Sequence, residues 1–206
     1  RSSDLGTGEA AGVFECTESD IPGMLHKDEE NPMWFGFKGG KHLLVRSFHI
    51  GDRFFAENWE DDKRQVFLDW AGAQGYNMLS VASHYLNRQQ PGRGQGWERI
   101  LDELARRHIM VYPFAGFFGR SSDYPTNTEE QISYVKYAMA RLGAYWNISF
   151  NVAGPEPLLK VNPYMPKTEV DSLGIMIQEY NVFDHLVTVH NAEGDDPFRD
   201  DDYTTF

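Results

Sequence analysis

Trp146-Asn147-Ile148-Ser149-Phe150-Asn151-Val152-Ala153-Gly154-Pro155-Glu156-Pro157 is the stretch on which the fold turns. Apolar and small polar residues run for one strand length, and Gly and Pro then end the run. Glu156 falls just past the strand, and the prolines on either side of it restrict the backbone. That is a way of holding one carboxyl in a fixed direction. Burial beside apolar walls would raise its pKa and keep a proton available for a leaving oxygen. A loop cap or an arginine partner is the plainer use of the same residue.

The neighbouring segments repeat one pattern. Thr128 to Gly143 reads as a helix capped by Thr128, with Gln131 in the capping-box position. Thr168 to Tyr180 reads as a helix and His185 to His190 as a strand. Upstream, Asp61 to Gln74 carries Val66, Leu68, Trp70 and Ala73 among charged residues, an amphipathic helix stopped by Gly75. Tyr76 to Ala82 follows as a strand. Trp97 to His108 sets Ile100, Leu101, Leu104 and Ala105 on one face, with Arg106, Arg107 and His108 at the negative helix end. Ile109 to Phe114 is the next strand.

Strand starts near residues 42, 76, 109, 146 and 185 are therefore separated by 33 to 39 residues, with helices between them. This is α/β alternation with a parallel sheet. A (β/α)8 barrel is the leading architecture and an open doubly wound sheet the second. Gly92-Arg93-Gly94-Gln95-Gly96 follows a long loop and lacks the phosphate-loop Lys-Ser/Thr, so it does not read as a nucleotide site. Before the first strand, Met33 to Phe37 and His42 to Phe48 flank Lys38-Gly39-Gly40-Lys41 as a hairpin. Residues 1–40 are expected to form an arm and hairpin strand, and residues 41–206 five βα units. A barrel takes eight units and typically about 250 residues. The chain is thus expected to be the N-terminal portion of a longer barrel.

Across 206 residues, 31 Asp and Glu stand against 19 Lys and Arg, a formal charge of −12. That balance argues against nucleic acid and anionic membranes as partners, both of which need clustered cations. No apolar run approaches the ~18 residues of a membrane span. One cysteine, Cys16, excludes an intrachain disulfide framework. Six of the carboxylates fall between Glu193 and Asp202, where only Arg199 opposes them. The run reads as a solvated loop, or as a group on the rim able to hold a cation or meet sugar hydroxyls.

In a parallel barrel, chemistry sits beyond the C-terminal strand ends. Those positions hold His49 and Asp52; His84, Tyr85, Asn87 and Arg88; Phe114 to Phe118 and Arg120; Asn151 and Glu156; and His190, Asn191 and Glu193. Aromatic faces beside fixed hydrogen-bonding groups suit a polyhydroxylated ligand. Trp59 lies in the loop after the first strand as a sugar platform, while Trp34, Trp70, Trp97 and Trp146 are expected in the core.

The Asn151 to Pro157 segment resembles the fourth-strand acid/base motif of clan A glycoside hydrolases. The wider pattern resembles the apiosidase-like glycoside hydrolases over roughly residues 20 to 195. It includes the Gly-Gly hairpin and Trp70-Ala71-Gly72-Ala73-Gln74-Gly75-Tyr76-Asn77 entering the second strand. The resemblance implies a (β/α)8 barrel that cleaves a glycosidic bond in a poly- or oligosaccharide with two carboxylic acids. Glu156 would be the general acid/base. His49, Trp59, His84, Tyr85, Asn151, His190 and Asn191 would meet the carbohydrate, with no cofactor and no metal. The implied location is secreted or periplasmic. The clan usually places Asn immediately before this Glu to contact the sugar 2-hydroxyl. Here Pro155 stands there, so Asn151 or Asn191 would have to serve. The nucleophile of the clan comes from the seventh strand, beyond Phe206; Asp52 and Glu193 read better as arginine partners or loop caps.

Two other readings use the same rim. One is a catalytically silent glycan-binding barrel. The other is a metal-dependent hydrolase built on His49, His84 and His190, although no His-x-His pair follows the first strand.

Overall fold

A computed structural model describes residues 13, 15, 18, 20–37, 40, 42–50, 61–81, 93–119, 124–158, 161, 163–192, 194 and 196–205, with residues 93–97 described in backbone only. Five strands follow one another in parallel. β4 (Ser47–Ile50), β5 (Met78–Val81) and β6 (Met110–Pro113) pair in sequence order, as do β7 (Phe150–Asn151) and β8 (Val187–Thr188). Single bridges from Val111 to Ile148 and from Phe118 to Ala153 join β6 to β7. Helices α1 (Asp61–Ala73), α2 (Arg93–Arg106), α3 (Thr128–Leu142) and α4 (Lys167–Glu179) alternate with the strands. The described residues form a partial α/β barrel.

The pleat sends alternate residues to opposite faces. Leu79, Val81, Val111, Phe150 and Val187 turn outward into one core with Leu68, Leu101, Leu104, Val135, Leu142, Val170, Leu173 and Ile177 of the helices. The register His49–Ser80–Tyr112 runs along the other face, towards the barrel interior.

The strand expected from His42 divides in two. His42–Leu43 (β3) pairs antiparallel with Phe35–Phe37 (β2), which pairs with Leu25–Lys27 (β1), and the first parallel strand starts only at Ser47. The turn between β2 and β3 includes Lys38, Gly39 and Lys41, which lie outside the described residues. Asp28 pins this small sheet, because its carboxylate accepts from the Glu30 and Asn31 amides and pairs with His42. Leu25, Phe35, Phe37 and Leu43 pack on Met78, Met110, Trp146 and Leu186, all at the N-terminal ends of the parallel strands. The hairpin thus plugs one end of the barrel and leaves the other for chemistry.

Several local expectations shift. Asn127, not Thr128, caps α3: its Oδ1 accepts from the Glu130 amide at 2.9 Å, while Gln131 donates to the Pro125 carbonyl at 3.2 Å. Asn is the stronger cap and stands one residue earlier. In α1 the buried positions are Arg64, Leu68 and Ala71, at true helical spacing, and Val66 and Trp70 are 70% and 44% exposed. Trp70 instead stacks on Tyr76 beside Phe48 and Phe67, outside the core expected for it. Trp34 is likewise exposed and Trp146 is buried as expected.

The described part of the acidic run after β8 turns against α4. Phe198 and Tyr203 are buried in the helical core, and Asp201 joins Asp171 around Lys167. The Tyr203 hydroxyl donates to Asp171 at 3.0 Å, and its carbonyl accepts from Gln178. Thr205 then takes the free edge of β8, its amide donating to the Val187 carbonyl at 2.8 Å. The segment packs back across α4 because Phe198 within the acidic run and Tyr203 just after it find apolar cover there.

Candidate active site

Four described segments meet at the C-terminal strand ends: His49 on β4, Phe114 after β6, the β7 end from Asn151 to Glu156, and His190 after β8. Phe114 is the centre of the arrangement. Its ring lies 4.9 Å from the His49 ring and 5.0 Å from that of His190, centroid to centroid. Its carbonyl accepts from the Asn151 amide group and faces His190 Nδ1 at 3.2 Å. Phe114 joins neither hydrophobic cluster, unlike Phe117 and Phe118 a few residues later.

Backbone approach here is close. A Cβ at Gly154 would fall 2.1 Å from the Phe114 carbonyl oxygen, and one at Gly116 would fall 2.2 Å from that of Asn151. Only glycine fits at either position, and Gly116 also takes a φ of +68°. Amides at Phe117, Phe118 and Gly154 knit the β6 and β7 loops together.

Glu156 follows a cis Gly154–Pro155 bond and adopts φ +43°, the left-handed region that a side-chain-bearing residue enters at a cost. Its amide donates to the His190 carbonyl at 2.9 Å, which fixes the loop on β8. Its carboxylate Oε1 stands 3.8 Å from His190 Nε2, with side-chain exposures of 33% and 29%. Both groups are thus partly shielded yet open to a ligand.

Asn151 is fully buried beneath this pair. One end of its side chain donates to the Phe114 carbonyl and the other accepts from the His190 amide at 3.2 Å. Its polar atoms position the rim rather than project from it. His49 projects from the exposed face of β4, with Nδ1 3.3 Å from the Ser80 hydroxyl. Tyr112 lies in the same register, and burial pushes its phenol well above the usual tyrosine range. Asn191 lines a cavity of about 310 Å³ with Lys27, Trp34, Thr188, Phe198 and Arg199, between β8 and the hairpin.

Trp59, His84 and Tyr85, together with Asp52, Asn87, Arg88, Arg120 and Glu193, lie outside the described residues. Among the described residues, no group of three His, Cys, Asp or Glu side chains stands together in a way that could hold a metal ion. No described helix is long and apolar enough to cross a membrane.

The sequence reading placed Phe114 at the strand end without a role, and missed Ser80 and Tyr112 as parts of this wall. The available signal was the period-2 register: Tyr112 and Phe114 share one strand face, opposite the core residue Val111.

No protein-family model matches the chain, and no curated protein matches it in sequence. Solved structures do resemble it in fold. The crystal structure of a glycoside hydrolase family 5 protein from Bacteroides vulgatus ATCC 8482 superposes with a TM-score of 0.68 over 92% of this chain, at 19% identity. The β-glucanase SdGluc5_26A from Saccharophagus degradans, solved with cellotetraose, gives 0.58 over 85% at 12% identity. The catalytic domain of a mannanase from Streptomyces sp. SirexAA-E gives 0.56 over 91% at 12% identity. The chain spans 45% of the Bacteroides protein and 57% and 56% of the other two, about half the length of these glycoside hydrolases. Its fold is a partial version of theirs.

Proposed function

We propose that the protein is a glycoside hydrolase of the apiosidase-like type, cleaving a glycosidic bond in a poly- or oligosaccharide outside the cytoplasm. Glu156 is its general acid/base. The observation that carries this reading is the placement of Glu156. It lies past the end of the fourth parallel strand, in a left-handed backbone conformation, with its carboxyl beside an imidazole on a half-open rim. A carboxyl so held can give its proton to the departing glycosidic oxygen and later take one from water. His49, Phe114 and His190 offer ring faces and polar edges to a sugar. Trp59, His84, Tyr85 and Asn191 complete the proposed binding set, and Asn151 supports it from beneath.

A second carboxylate completes the chemistry in the whole protein. A separation of about 5–5.5 Å from Glu156 would give retention, and about 6.5–9.5 Å inversion. The ligand classes to try first are β-glucans and mannans, the substrates named for two of the similar folds.

The test is reducing-end release from a panel of such oligosaccharides by the whole protein and by Glu156→Gln, with circular dichroism as the folding control. Loss of hydrolysis by about 10²–10⁴-fold with the fold intact is the expected result. Undiminished turnover by Glu156→Gln would remove Glu156 from the mechanism. Glycan binding without turnover in the wild type would favour a silent barrel.

A further inference from the structure

We infer that His190 is a positioning residue for Glu156, locked in the Nδ1-protonated tautomer so that the unprotonated Nε2 faces the carboxyl and shares its proton. This deepens the reading of Glu156 as acid/base and rests on it for its purpose, though not for its geometry.

A carbonyl oxygen has no proton to give, so the 3.2 Å contact between His190 Nδ1 and the Phe114 carbonyl requires the hydrogen to sit on Nδ1. A neutral imidazole then carries its lone pair on Nε2, and Nε2 is the atom 3.8 Å from Glu156 Oε1. The separation is a few tenths of an ångström beyond a hydrogen bond, within reach of a small side-chain rotation.

The ring has little freedom to choose otherwise. The His190 amide is held by Asn151 Oδ1 and by the Ala153 carbonyl, both at 3.2 Å, and the His190 carbonyl accepts from the Glu156 amide. The Phe114 ring stands edge-on to the imidazole, and Gly154 packs against its Cβ side. Among the described residues, the groups facing His190 are therefore the Phe114 carbonyl and ring, the Asn151 amide and, as the ionisable one, the Glu156 carboxyl. His49 lies against the same Phe114 ring.

The proton balance is simple. When Glu156 is a carboxylic acid and His190 neutral, the proton on Glu156 can pass to His190 Nε2, leaving a carboxylate and an imidazolium. No other bond changes. In that state the pair shares one proton beyond the one fixed on Nδ1. The orientation of the Glu156 carboxyl is set by which partner carries it.

The experiment is long-range ¹H–¹⁵N correlation NMR of the ¹⁵N-histidine-labelled chain, alongside a ¹³C titration of the Glu156 carboxyl carbon. The neutral His190 ring is expected to show the Nδ1–H pattern, the minority form for a free histidine. The Glu156 carboxyl carbon is expected to report a second step at the pH where the His190 nitrogens titrate. That step should vanish in His190→Gln, and the His190 nitrogens should lose the matching step in Glu156→Gln. An Nε2–H pattern, or titrations independent of each other in folded protein, would overturn the pairing. The readout needs no turnover. An inactive enzyme would therefore count against the glycosidase reading alone, and a wrong tautomer against the pairing alone.

Discussion

Glu156 sits where its backbone is least comfortable. A left-handed φ costs a Cβ-bearing residue about 1–2 kcal/mol, and glycine nothing comparable. Residues kept in such conformations often serve chemistry at the expense of stability. Glu156→Gly should therefore be more stable than Glu156→Ala by about 1 kcal/mol, seen as a higher urea midpoint at unchanged slope. Equal midpoints would show that the loop relaxes and stores no strain. The sequence already marked Glu156 through its flanking prolines. It could not show the carbonyl of Phe114 as the anchor for both Asn151 and His190. That contact joins residues 76 positions apart and depends on how three strand ends converge.

At the scale of elements, alternation was the most legible signal. All four helices and the last four of the five parallel strands stand where periodicity placed them, with shifted ends. The strands are shorter than the apolar runs: Trp146 and Leu186 pack on the plug beneath the barrel, although the Leu186 carbonyl still accepts from the Phe150 amide at 2.8 Å. The first strand was misread for the same kind of reason: His42 and Leu43 are committed to the hairpin.

His185 joins α3 to the sheet, with its ring nitrogens facing the Ile148 carbonyl at 3.0 Å and the Gly143 carbonyl at 2.7 Å. Burial pushes its pKa below the ordinary 6.5, outweighing those two carbonyls, which favour the charged form. The unfolded chain therefore binds this proton more readily. The stability associated with the neutral ring is complete above pH 6.5 and declines as pH falls below it. Urea midpoints at pH 7.5 and 5.5 should drop more for the wild type than for His185→Gln. Parallel drops would assign the pH dependence elsewhere.

A second element-scale contact fastens α4 to the segment after β8. A Cβ at Gly174 would lie 2.2 Å from the Tyr203 ring, which is 3% exposed and held by Asp171. Gly174→Ala should therefore destabilise by about 1–3 kcal/mol, although alanine is the better helix former. A stabilised variant would mean that Tyr203 is not seated there.

For the whole molecule, the charge of −12 says little by itself about the site. Much of it is organised on the outer surface. Asp61 pairs with Arg99, Asp69 with Arg107, and Glu98 with Arg141, tying α1 to α2 and α2 to α3. Exposed pairs of this kind contribute about 0–1 kcal/mol each, so the apolar layer between helices and strands carries the fold. What the net charge could not reveal is that the acidic run around Asp201 wraps α4. Buried Phe198 and Tyr203 decide that path.

The central claim is that Glu156 donates a proton to a leaving glycosidic oxygen. Its most direct test is the leaving-group dependence of kcat/KM in the whole protein, wild type against Glu156→Gln, on one sugar carried by an activated aryl alcohol and by another sugar. An aryl alcohol that departs as a stable anion needs no proton, whereas a sugar alcohol does. The account predicts that Glu156→Gln loses about 10²–10⁴-fold on the sugar leaving group and far less on the activated one. Equal losses on both substrates would contradict it.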